Sequence, residues 1–476
     1  MEPKKAALII ILAIIILGGG YFTIISFLPD KNPEVVNKMK PITLNYWRVY
    51  DGPDVFTPII AAYNAVHPYI TIKYRKLRYD EYEQALLEAF ATDRGPDIFS
   101  IQNTWLGKYK SKDLITPLPS KITMAYPVVK GTVKKQVVSE LRTIKSFNSR
   151  DIENMFVDVV YDDVVYKEQD EKTRAITYDI YGLPLYVDTL AMYYNKDLFN
   201  NAGITSPSAY WNRKFQQDVK KLTKQDAKGN IIQSGVALGG SDNIERYSDI
   251  LSVLMMQNGT EMMDENGKVL FHAVPESFKD KSYNPGLEAV RFYTDFANPG
   301  KEVFSWNDTM PNSVDLFADG KLAMLFAYSY QLPIIKAKNP KLNFNISSLP
   351  QIEGNQTSIN FANYWLEVVS AKTKNRDVAW DFVQFISKPE QAKLYLDKTK
   401  KPTALRELVN KQVDDLDIGV FVNQVLTSKS WYKGNNAIAA ESYMGEIIKK
   451  VSSGQEKISE ILGLEAKKVQ ETVREK

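Results

Sequence analysis

An uncharged, apolar run from Ala6 to Leu28 follows Lys4 and Lys5 at the start of the chain. As a helix rising about 1.5 Å per residue it is roughly 34 Å long, enough to cross a hydrocarbon core of about 30 Å. The two lysines then stay in the cytoplasm and the rest of the chain lies outside. A cleaved leader is the other reading, with an apolar core from Ala6 to Leu17 and small residues at Gly18 and Gly20. The return of apolar residues from Tyr21 to Leu28 favours retention. Residues 1–30 therefore read as a membrane anchor, and 31–40 as a polar tether.

From residue 41 the period changes. Ile42 to Trp47 reads as a strand. Pro53 suits the first turn of a helix, and Val55, Phe56, Ile59, Ile60 and Tyr63 follow at helical spacing. Ile70 to Leu77 reads as a second strand. A second helix opens near Asp80, with Glu83 as its capping-box partner. Its apolar face is Tyr82, Ala85, Leu86, Ala89 and Phe90, and Gly95-Pro96 stops it. Asp97 to Ile101 gives a third strand. This alternation predicts a parallel sheet wrapped by helices, an α/β fold. Ligands then gather where the strands end, at Arg48 to Asp51 and at Gln102 to Trp105.

Gly131 to Ala175 reads as extra surface structure on the first lobe. Its acidic run (Asp162, Asp163, Glu168, Asp170) is expected to be a solvated face, since it lacks the ligand spacing and central glycine of a calcium loop. Helical spacing returns at Trp380, Val383 and Ile386, and Ser387 is placed to cap the helix after Pro389. The last stretch, Asn436 to Lys476, reads as helix with a break near Gly454 and a stripe of Ile458, Ile461, Leu462 and Val469.

Composition narrows the function classes. A chain of 476 residues is long enough for two or three domains. Its 60 basic and 57 acidic residues nearly cancel, which gives no electrostatic footprint for nucleic acid. Without cysteine there is no disulfide, no thiolate metal site, no thiol nucleophile and no lipid-bearing cysteine. His67 and His272 stand apart in sequence and read as packing or surface residues, so no metal and no cofactor is expected. The chain lacks Gly-x-Ser-x-Gly, His-Glu-x-x-His and the phosphate-cradling Gly-x-x-x-x-Gly-Lys. ATP hydrolysis, if it drives a transport step, then belongs to another polypeptide.

Four segments in order resemble the family 1 extracellular solute-binding proteins, the maltose-binding-protein-like components of ABC sugar importers. They are GPDIFSIQNTWLGKYKSKDLITPL from Gly95, YGLPLYVDTLAMYYNKDLFNNAGI from Tyr181, FADGKLAMLFAYSYQL from Phe317, and WLEVVSAKTKNRDVAWDFVQFISKPEQAKLYL from Trp365 followed by KKPTALREL. The chain departs from the family in the 131–175 insert and in the loss of the lipid-bearing cysteine. The resemblance implies a two-lobed periplasmic-binding-protein-like fold, with 41–185 and 366–410 in an N-lobe and 187–364 and 411–476 in a C-lobe. It implies a non-enzymatic monomer that captures a small solute, by family habit a carbohydrate, in an interlobe cleft and delivers it to ABC permease subunits in the membrane.

A sugar presents an apolar C–H face and a rim of hydroxyls, so its site needs aromatic planes among donors and acceptors. Matched to the family's ligand loops, the candidates are Tyr50, Asp51, Gln102, Asn103 and Trp105. Tyr186 and Asp188 follow at the first lobe crossing, with Ser241, Asn243, Tyr328 and Tyr330 in the C-lobe. Asn363, Tyr364 and Trp365 fall at the second crossing, and Arg406 and Glu441 complete the set. Tyr193 and Tyr194 read as core. Two rival classes stay open: a membrane-anchored glycan-active enzyme working through paired carboxylates, and a sensor or adhesin that uses the same module without transport.

Overall fold

The strand Ile42–Val49 pairs in parallel with Ile70–Leu77 along its whole length, from Ile42 opposite Ile70 to Val49 opposite Leu77. Ile98–Gln102 runs parallel on its other side, with Tyr46 opposite Ile98 and Trp47 opposite Phe99, and Trp365–Val369 comes next in the sheet. These relations come from a computed structural model, which describes residues 26–27, 39–130, 136–169, 172–454 and 457–474. Contacts divide the chain into two compact units. The first holds 1–100, 116–148 and 368–395, and the second holds 101–115, 149–367 and 396–476.

The sheet of the first unit is wrapped by the predicted helices. Pro53–Val66 buries Val55, Phe56, Ile59 and Tyr63, and Tyr79–Ala91 buries Tyr82, Leu86 and Phe90. Spacings of three and four residues bring these side chains onto one face. Tyr46 sits edge-on to Phe56 and Tyr74, each at 5.4 Å, and to Phe382 at 5.8 Å. The second helix opens one residue earlier than its pattern suggested. Arg78 is the cap, and Glu81, not Glu83, accepts from its backbone N–H. Ser387 also departs from expectation: its hydroxyl donates back to the Val383 carbonyl at 2.9 Å and closes the helix Arg376–Ile386.

A hairpin of two ten-residue strands joins the first unit, Lys121–Lys130 against Gln136–Lys145. Ser26–Phe27 pairs in parallel with Gln136 and Val137. The predicted anchor falls outside the described residues apart from these two. There the apolar run is strand, so the helical reading cannot extend to Leu28. Among the described residues no helix is long and apolar enough to cross a membrane. The 131–175 insert is not one surface element. Gln136–Lys145 completes the hairpin, whereas the helix Asp158–Val164 and the hairpin Val165–Gln169/Ile176–Ile180 belong to the second unit.

The second unit is built on five strands in the order Lys224–Gln225, Ile231–Val236, Leu322–Ala327, Ala191–Asn195, Phe344–Ser347. Every residue of Leu322–Ala327 is buried, as an uninterrupted LAMLFA run requires of a central strand. Tyr193 is core, as its pattern predicted, while Tyr194 is half-buried. Two long helices, Ala437–Ser453 and Ile458–Arg474, close the chain. The Asn436 side chain caps the first, and Gly454 at φ +67° breaks the pair where the pattern placed the break. Between them Glu465, fully buried, meets Lys450 at 2.6 Å and Lys468 at 3.0 Å.

Candidate functional site

In the second unit the chain leaves the central strand through Tyr328, Ser329 and Tyr330. Tyr328 is fully buried, and its hydroxyl donates to Asp249 Oδ2 at 2.6 Å. Tyr330 is 42% exposed and lies nearly parallel to Tyr328, with centroids 5.9 Å apart and planes 13° apart. Asp249 also receives the Arg246 guanidinium, Nε at 2.9 Å and an Nη at 2.7 Å, and a second Nη reaches Glu441 at 3.4 Å. Arg246 caps the helix Tyr247–Gln257 in a left-handed conformation, φ +58°, a state that costs roughly 1–2 kcal/mol for a side-chain-bearing residue. Burial pushes the Glu441 carboxyl above the ordinary carboxylate range, against the pull of Arg246. The product is an exposed aromatic plane backed by a buried ring, with the Arg246 guanidinium close enough to act on its hydroxyl.

Asp188 holds this loop from below. Its carboxylate accepts from the Ser329 hydroxyl at 2.7 Å, the Ser329 N–H at 3.1 Å and the Thr189 N–H at 2.9 Å. Burial outweighs these donors and pushes the carboxyl up to about 6. Asp188 is thus a support for Tyr330. Tyr328 also faces inward.

A second cluster of the same unit surrounds Asp163, on the helix Asp158–Val164. Asn103 Nδ2 donates to it at 3.0 Å and the Tyr364 hydroxyl at 2.7 Å, and Ser430 donates to the other carboxylate oxygen. Asp163 is buried, so this part of the acidic run is not a solvated face. Among the described residues no group of three or more His, Asp or Glu is placed to hold a metal ion. Trp105 and Trp365 pack edge to face at 5.6 Å, both buried, and present no free plane. Gln102 donates to Asn363 at 3.2 Å. Gly107 lets the 430–434 loop close in, because a Cβ there would stand 2.5 Å from the Lys433 carbonyl oxygen.

Other candidates are spent within the fold. The Asn243 amide donates to the Asn307 and Met310 carbonyls and accepts from Trp306 Nε1 at 2.8 Å, so both its ends are engaged. Arg406 pairs with Asp158. Tyr186 is buried beneath the Lys401 ammonium at 4.4 Å. Two candidates keep a buried atom without a hydrogen-bond partner among the described residues, Asn103 Oδ1 and Ser241 Oγ.

In the first unit, Tyr50 stands just past its strand at φ +65°. Its ring is 52% exposed and stacks on Tyr79, 51% exposed, at 5.8 Å and 18°. Behind it Asp51 is buried. Its Oδ2 accepts from the Tyr395 hydroxyl at 2.8 Å and lies 3.3 Å from Arg48. Tyr79, Asp163, Arg246 and Asp249 were missed by the sequence reading. Tyr79 follows a strand end, the same signal that found Tyr50. The other three act through partners at least 60 residues away in sequence, or by a backbone turn with no local mark.

Residues 51–393 match the family of bacterial extracellular solute-binding proteins, and the chain belongs to that family. The galactooligosaccharide-binding protein of Bacillus subtilis (strain 168) is 22% identical over 305 residues, 61% of this chain and 62% of that protein. Solved structures share the fold. The cyclic alpha-maltosyl-1,6-maltose binding protein from Arthrobacter globiformis has a TM-score of 0.69 at 15% identity, over 92% of this chain and 100% of that one. A cyclo/maltodextrin-binding protein complexed with maltotetraose has a TM-score of 0.67 at 15% identity, over 91% and 97%. These likenesses establish a two-lobed, periplasmic-binding-protein-like α/β fold.

Proposed function

We propose that this protein captures an oligosaccharide outside the cytoplasm and delivers it, chemically unchanged, to ABC-type permease subunits. The observation that carries the reading is Tyr330: an exposed ring, held parallel to a buried one, whose hydroxyl feels the Arg246 guanidinium. A sugar's C–H face covers such a plane while its hydroxyls meet the charged rim. The exposed Tyr50–Tyr79 pair offers a second plane of the same kind. The relatives that bind galactooligosaccharide and maltodextrin support the same ligand class.

The same proposal places the protein on the membrane through its N-terminal apolar segment, with Lys4 and Lys5 on the cytoplasmic side. Ending that segment at Ile25 leaves twenty residues after Lys5, about 30 Å as a helix, which matches the hydrocarbon core. A native protein that fractionates with membranes at full length fits this; a mature N-terminus near Tyr21 refutes it. The binding test is a thermal-shift screen of the full chain against oligosaccharides. A ligand at 100 times its Kd stabilises the fold by about 2.7 kcal/mol. An unmoved transition with every sugar removes the reading.

A further inference from the structure

We infer that Asp163, from the acidic insert, is a positioning residue that aims the Asn103 carbonyl oxygen at a hydroxyl of the bound sugar. The inference rests on the carbohydrate reading above and adds to it a required hydrogen-bond donor on the ligand.

The argument begins with the asymmetry of an amide. Asparagine has a donating nitrogen and an accepting oxygen, and its two ends are told apart by their partners. Asp163 Oδ2 stands 3.0 Å from one end of the Asn103 amide. A carboxylate oxygen accepts, so the nitrogen faces Asp163 and the oxygen faces the opposite way. Asp163 cannot turn to relax this choice. Tyr364 donates to the same oxygen at 2.7 Å and Ser430 to the other, which fixes the carboxylate at both ends. The Asn103 backbone is fixed as well, its N–H donating to the Tyr364 carbonyl at 3.0 Å.

Asn103 Oδ1 is therefore held in one direction. It is buried, on a residue only 6% exposed, and has no hydrogen-bond partner among the described residues. Leaving a buried acceptor unpaired costs free energy, and a donor that arrives with the ligand recovers it. The residue lies just past the strand Ile98–Gln102, where ligands of open α/β sheets collect. A sugar hydroxyl is the donor this atom fits. A sugar lacking a hydroxyl at that position leaves the oxygen unpaired, so the atom confers selectivity as well as affinity.

The test is a double-variant cycle on the full chain with maltotetraose, mannobiose and a galactooligosaccharide as probes. The sugar that binds the wild type tightest is carried forward. Asn103→Ala and Asp163→Asn are each expected to weaken binding about tenfold or more. The double variant is expected to bind within about twofold of Asn103→Ala alone, because Asp163 acts only through Asn103. Tyr364→Phe, which removes one donor from Asp163 and keeps the ring, should weaken binding about threefold in the wild type and not at all beside Asn103→Ala. This milder variant serves if Asp163→Asn fails to fold. Losses that multiply, or an Asp163→Asn protein that binds like the wild type, overturn the inference and leave carbohydrate capture standing. A wild type that answers to no sugar overturns the proposed function and this inference with it.

Discussion

Two regions of this molecule solve one problem with the same parts. In the first unit, Arg48 and Asp51 are three residues apart, and Tyr395 donates its hydroxyl to the Asp51 carboxylate. In the second unit, Arg246 and Asp249 are three residues apart, and Tyr328 donates to Asp249. The first trio lies beside a left-handed residue, Tyr50, and in the second Arg246 is itself left-handed. Each stands next to an exposed ring stacked on a second ring. The difference lies in the second ring. Tyr79 is half in solvent, whereas Tyr328 is wholly buried and hydrogen-bonded at its tip. A ring with a fixed backing loses little freedom when a sugar covers it, and ordering cost is what separates contact from affinity. On the proposed reading the Tyr328–Tyr330 pair is thus the stronger platform and the Tyr50–Tyr79 pair the more adaptable one.

The largest expected effect concerns the support under the stronger platform. Burial raises the Asp188 carboxyl to about 6 from an ordinary value of 3.8. The folded state then holds that proton more tightly than the unfolded chain. The associated stability is fully present below about pH 4 and is lost as pH rises through 6, a swing of about 3 kcal/mol. Asp188→Asn should remove this swing. Denaturation midpoints at pH 4 and pH 7 should show the variant gaining on the wild type between them. A constant gap would show that Asp188 is not the titrating group.

Next comes Tyr330→Ala, which should weaken sugar binding by about 2 kcal/mol, roughly thirtyfold, as loss of a central aromatic contact does. Tyr79→Ala should cost about 1 kcal/mol of affinity or less, within the range of a single aromatic contact. Equal losses, read by calorimetric titration, would erase the distinction between the two pairs. Tyr328→Phe and Tyr395→Phe each take one hydroxyl donor from a buried aspartate, at an expected stability cost of about 1–2 kcal/mol. Both keep the ring, so affinity should stay within about threefold. Smallest is Tyr50→Gly, which relieves a left-handed aromatic residue. Its stability should move by less than about 1 kcal/mol in urea denaturation.

The same contrast explains what could be read from the chain beforehand. Local periodicity carried the framework, because Val55, Phe56, Ile59 and Tyr63, or Ile461, Leu462 and Val469, mark a buried face by spacing alone. Strand ends point to Tyr50 and Asn103, and the order of family motifs points to Tyr330, and the structure leaves both tyrosine rings exposed. The supports were invisible. Asp163 looked like part of a solvated acidic run, and only its meeting with residues 103, 364 and 430 makes it a buried centre. Position alone suggests Tyr328 and Tyr364 as ligand contacts, yet both are fully buried, with their hydroxyls donating to Asp249 and Asp163. Asn243 was placed in the right loop, but its amide ties that loop to residues more than sixty positions on. Helix ends failed for a related reason. Glu83 and Ser387 each match a capping pattern, and a two-residue shift of the cap, or a nearby carbonyl, took the role elsewhere.

Calorimetric titration of the wild type and of Tyr330→Ala with maltotetraose, mannobiose and a galactooligosaccharide tests the central claim most directly. At least one of these sugars should bind the wild type, and Tyr330→Ala should bind it at least tenfold more weakly while melting at an unchanged temperature. No heat from any sugar with the wild type, or equal affinity in a folded Tyr330→Ala protein, would contradict the account.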